Sequence, residues 1–146
     1  MYRNTFDAMA FELTLISTKP LSASRWEEVC TTLIKSYTTM AAAKDGVLIG
    51  HIKGLAILMD APDIFIKLSA IHPDIPIQVD RSTCKGKSFT LSLVINALHA
   101  GLDQPTADLI LSKALGKICG LYELTKQIHV HIHEHEYHHH HEHDHS

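Results

Sequence analysis

Residues 127–135 read QIHVHIHEH, and no other stretch constrains the fold of this chain as tightly. Ile128, Val130 and Ile132 alternate with His129, His131 and His133, and the alternation continues at His135, between Glu134 and Glu136. A β-strand sends successive side chains to opposite faces, whereas a helix would spread both kinds around its surface. The pattern predicts a strand that buries Ile128, Val130 and Ile132 and shows His129, His131, His133 and His135 on its other face. The following YHHHHEHDHS has no apolar alternation and reads as a flexible end. Residues 1–136 are therefore expected to form one domain ending in a histidine-bearing strand, with residues 137–146 as a flexible histidine-rich tail.

The rest of the chain supplies a partner layer for such a strand. FELTLIS (11–17) alternates as a strand and is expected to break at Pro20. SRWEEVCTTLIKSYTTMAAAK (24–44) has helical spacing, with Trp26, Val29, Cys30, Leu33, Ile34 and Tyr37 toward the core. Ser24 is the expected N-cap, with Glu27 completing a capping box. VLIGHIKGLAILM, IFIKLSAI, IPIQVD and SFTLSLVINAL read as strands separated by turns, with Phe89, Leu91, Leu93 and Ile95 on one face of the last. A second helix opens at Gln104-Pro105, where proline is tolerated, and is expected to end or loosen at Gly120. Leu109, Ile110, Leu115, Ile118 and Leu121 form much of its apolar stripe. Strand, helix, strands, helix, strand is the order of an α+β two-layer sandwich, a mostly antiparallel sheet with two helices on one face. A ferredoxin-like core with an extra hairpin is the nearest architecture.

Charge separates the end of the chain from the rest. Residues 1–128 hold all 13 Lys and Arg and 12 of the 16 acids, while the four remaining acids (Glu134, Glu136, Glu142 and Asp144) lie beyond. That leaves no basic field for nucleic acid. No apolar stretch is long enough to span a membrane, and the N-terminus lacks the basic start and apolar block of a signal peptide. A cytoplasmic location is expected. Cys30, Cys84 and Cys119 form no CxxC pair, so neither a thiolate zinc knuckle nor a redox motif is indicated. Cys30 and Cys119 read as small buried hydrophobes, and Cys84, in RSTCKGK, as an exposed loop residue.

The chemistry on offer is imidazole. Neutral histidine is the commonest nitrogen ligand for nickel, zinc and cobalt. Histidines at i and i+2 on a strand lie about 6.5 Å apart at Cα, near enough for both rings to lean toward one ion. The expected ligands are His129, His131, His133 and His135 on the strand and His138, His139, His140, His141, His143 and His145 on the tail. Interleaved carboxylates lower the cost of bringing a dication there. A catalytic or structural site specifies three or four ligands held by outer-shell partners. Ten histidines permit many exchangeable arrangements instead, which suits buffering and hand-over of a divalent transition metal. The partners expected are a metal-receiving protein and a second copy of the chain. In composition, residues 129–145 resemble the histidine-rich extensions of nickel-handling proteins such as the urease and hydrogenase accessory factors. The body carries neither the GxxxxGK[ST] loop of the hydrogenase GTPase type nor the CxxC pairs of the small hydrogenase chaperones.

Plainer readings of the run are an expression tag, a solvating tail and a pH sensor. Against a tag, the run is interrupted by Glu136, Tyr137, Glu142 and Asp144, and its first half continues a strand pattern. Two other functional readings stand beside metal handling. One is a small-molecule-binding domain or enzyme with a pocket near His51 and Lys53, in GHIKG, where two glycines let a ligand approach the backbone. The other is an oligomeric module governed by metal or pH. No GxSxG elbow, cysteine–histidine neighbour or phosphate loop points to catalysis. His72 reads as a turn residue, and His99 as a residue following a strand and capping the next turn.

Overall fold

The computed structural model describes residues 5–129. Strand β1 (Asp7–Ser22) alternates Met9, Phe11, Leu13 and Leu15 into the core. It does not stop at Pro20. Its pairing slips between Ile16 and Leu21, and an irregularity in the ladder is where a residue without an N–H can sit in a strand.

Helix α1 (Ala23–Ala42) is capped by Ser22, whose hydroxyl accepts the Arg25 N–H at 3.1 Å. Ser24 is thus already helical, and the expected Ser24–Glu27 box does not form. Glu27 instead pairs with Arg81 at 2.9 Å. The apolar face of α1 buries Trp26, Val29, Cys30, Leu33, Ile34 and Tyr37, as its spacing predicts. The Trp26 indole N–H donates to the Ser88 carbonyl at 2.9 Å, which removes the cost of burying that donor.

Four strands follow: β2 (Leu48–Leu58), β3 (Phe65–Ala70), β4 (Gln78–Arg81) and β5 (Lys87–Ala100). Helix α2 (Gln104–Tyr122) has Asp103 as N-cap, accepting the Thr106 N–H at 3.0 Å. It runs through Gly120 and ends at Glu123, which takes the left-handed conformation at φ 56°. Its core face holds Ala107, Ile110, Leu111, Ala114, Leu115 and Ile118. Leu109 and Leu121 are more than half exposed, against expectation, and so is nearly half of Phe89. Strand β6 (Leu124–His129) closes the described chain.

All six strands form one sheet in the order β4-β3-β2-β5-β1-β6, every neighbouring pair antiparallel. Strands β1 and β2, joined through α1, are separated by β5; strands β5 and β6, joined through α2, are separated by β1. These two interleaved crossovers make the ferredoxin-like βαββαβ succession, with β3 and β4 as the additional hairpin beyond β2. The helices pack against each other and share one core with the sheet. The fold is an α+β sandwich, and among the described residues the opposite sheet face carries no helix. Among the described residues no helix is long and apolar enough to cross a membrane.

Candidate metal centre and the helix-free face

Among the described residues, strand β6 is the outermost strand on one side of the sheet. It begins three residues before the predicted strand, and its register sets Leu124 against Ser17, Ile128 against Leu13 and His129 against Glu12. Opposed residues of an antiparallel pair share a face. Leu124, Lys126 and Ile128 therefore lie on the helix side, and Thr125, Gln127 and His129 on the helix-free side. The predicted alternation gives Ile128 and His129 their observed faces, and its continuation through residues 130–135 lies outside the described residues. It did not predict burial: Leu124 is buried, but Ile128 is 50% exposed, because an edge strand has a neighbour on one side only.

His129 is exposed, and its Nε2 lies 2.8 Å from the Thr14 hydroxyl on β1. The contact holds the ring in one orientation; because the hydroxyl can donate or accept, Nδ1 offers a lone pair only in the tautomer whose Nε2–H donates to Thr14. Thr14 had no sequence signal, because the contact spans 115 positions. The other expected ligands (His131, His133, His135, His138, His139, His140, His141, His143 and His145) lie outside the described residues. Among the described residues, no group of three or more His, Cys, Asp or Glu side chains could hold a metal ion.

The three remaining histidines are dispersed. His72 is an exposed turn residue, as expected, and its Nδ1 accepts the Asp74 N–H at 3.1 Å. His99 does not cap a turn. It is a fully buried member of β5, with Nε2 2.9 Å from the Tyr37 hydroxyl and Nδ1 without a side-chain partner. Burial lowers the pKa of its imidazole, opposed first by a hydrogen bond to the His99 backbone and then by the nearby Asp7 carboxylate. His51 follows a bulge in β2 and opposes Leu98, while Lys53 opposes Asn96. The two share the helix-free face as expected, and His51 Nδ1 is buried without a partner.

A depression of 780 Å³ lies on that face over β2, β3 and β4. Lys53, Lys67, Asp80 and Asn96 line it, whereas His51 does not. The register explains its polarity: Asn96, Lys53, Ser69 and Gln78 align in one row across four strands. Cys84 is exposed in the loop after β4, as expected. Cys30 is fully buried, and its thiol is pushed up to about 12 by burial first and Glu27 second. Cys119 is only partly buried.

No family model, curated protein or solved structure significantly matches this chain.

Proposed function

We propose that this protein buffers or delivers a divalent transition metal, nickel, zinc or cobalt, through its histidine-rich C-terminal strand and tail. The carrying observation is His129. It stands on the helix-free side of an edge strand, its Nε2 held by Thr14, at the start of a run with ten histidines in positions 129–145. An edge strand leaves one flank open, so an ion can approach His129 without any part of the core moving. Redundant ligands suit capture and release, since an ion can pass between overlapping pairs. Ligand softness favours no single metal here, and supply decides which one is carried.

Equilibrium dialysis of the full chain against nickel, then zinc, tests this reading. More than one ion per chain is expected. Less than one ion per chain overturns it.

A second reading, a small-anion site, rests on the depression beside Lys53 and Lys67. Isothermal titration with inorganic phosphate and with a dicarboxylate tests it. Heats abolished by Lys53→Ala together with Lys67→Ala support this site, and no heat with either anion removes it.

A further inference from the structure

An antiparallel sheet with one face to water carries polar side chains on that face. The helix-free face of this sheet departs from the rule at its centre. Leu55 and Ile57 of β2, Val94 and Leu98 of β5 and Ala10 of β1 lie there side by side. Leu55 is 40% exposed. Among the described residues no element covers the patch.

The charges on this face are arranged about its midline. Opposed residues set Asp80, Lys67, Leu55, Val94, Glu12 and His129 in one row across all six strands. The sheet has three strands on each side of the line between β2 and β5. Lys67 on β3 and Glu12 on β1 therefore stand at equal distances from that line, with Asp80 and His129 one strand further out. Lys67, Asp80 and Glu12 are exposed. None of them has an ion pair among the described residues, and the Lys67 ammonium lies over its own Phe65 ring.

We infer that two copies of the chain stack through their helix-free faces, about a two-fold axis that runs along the strands at the midline. This axis exchanges β2 with β5, β3 with β1 and β4 with β6. Leu55 then lies over Val94 of the second copy, Lys67 over its Glu12 and Asp80 over its His129, and symmetry makes each pair twice. Stacked sheets lie about 10 Å apart, a gap that a lysine and a glutamate meeting end to end can span. Lys53, in the next row, falls over Asn96 of the second copy, whose amide oxygen can accept its N–H. A two-fold axis along the row itself would set Lys67 on Lys67 and Glu12 on Glu12, so charge selects the first axis. The depression over β2, β3 and β4 is filled by β5, β1 and β6 of the second copy. Its Glu12 carboxylate takes the place beside Lys67 that the second reading above gives to a small anion.

Sedimentation velocity on the full chain in chelator tests this, with no metal contributing to assembly. Twice the chain mass of 16.3 kDa is expected. Lys67→Glu and Glu12→Lys, each alone, set like charges together and should weaken the dimer at least about tenfold. Combined in one chain they exchange the two partners and should restore it. Leu55→Asp, beside the axis, should give monomers. All three positions are exposed, and urea midpoints check that the variants fold. A wild-type chain that stays at 16.3 kDa up to millimolar concentration gives the face to another occupant and overturns the inference. A dimer unchanged by the single reversals or by Leu55→Asp overturns this face as the interface. Reversals that weaken the dimer singly and fail to restore it together overturn this axis.

Discussion

The Tyr37 hydroxyl and His99 Nε2 lie 2.9 Å apart inside the core, joining the middle of α1 to the end of β5. Phe11 packs its ring edge-on against Tyr37 at 6.0 Å between centroids. His99 Nδ1 has no side-chain partner, so Tyr37 supplies the one side-chain hydrogen bond of a fully buried imidazole. A buried polar group that loses its partner bears its full desolvation cost. Tyr37→Phe is thus expected to destabilise the fold by about 1–3 kcal/mol. The urea midpoint measures it, with an unchanged slope showing that the loss is one of stability.

The same pair makes folding stability depend on pH. Burial holds His99 in the folded protein below its ordinary 6.5, so the unfolded chain takes up this proton first. Stability is full above 6.5 and declines as pH falls from there toward the folded value. Urea midpoints taken in steps down through this window should fall, and His99→Leu should flatten the dependence. A dependence that survives His99→Leu unchanged would assign it to other groups.

The three thiols should separate by reactivity. Cys84 is exposed, whereas Cys30 is buried with its thiol raised to about 12. The thiolate is the nucleophile, so iodoacetamide should label Cys84 in the folded protein and leave Cys30 untouched until denaturant is added. Cys119, partly buried and raised by that burial against the pull of Lys126, should react at an intermediate rate. Peptide mass spectrometry over a time course gives the order.

Gly101 sits at φ +84°, and a methyl group there would collide with the Gly46 carbonyl of the facing turn. Both the backbone conformation and the space exclude a side chain. Gly101→Ala should cost at least about 1–2 kcal/mol from the left-handed backbone alone, with the collision added. Gly46→Ala meets no neighbouring atom and should cost only the backbone part. Thermal melts of the two variants make the comparison.

Much of this fold was legible in the sequence, because hydrophobic period reports which face of an element is buried. The stripe from Trp26 to Tyr37 and the alternation of Leu91, Leu93 and Ile95 both landed in the core. Ends were harder. Two serines stood near the start of α1, and the cap fell to Ser22 because Ala23 is already helical. Gly120 looked like a stop, yet Glu123 took the left-handed position, a conformation no local pattern marked. Period also cannot say whether a strand lies at an edge, which is why Ile128 has the predicted face without the predicted burial. Strand order and the contacts of Thr14 and Tyr37 join residues far apart in sequence, so no window of neighbours contains them. Of the candidate site, His129 was legible, and its partner Thr14 was not.

In the proposed function, the histidine-rich end of the chain is the metal site. Competition titration of nickel and zinc against a chromophoric chelator tests it most directly, comparing the full chain with a chain ending at His129, which keeps β6 entire. The titration is run at about pH 7.5 and repeated at about pH 5.5, where protons compete for imidazole nitrogen. The account predicts several ions on the full chain at the higher pH, their loss at the lower, and no tight ion on the shortened chain. A shortened chain that keeps a single tight ion would contradict it and move the site into the body of the fold.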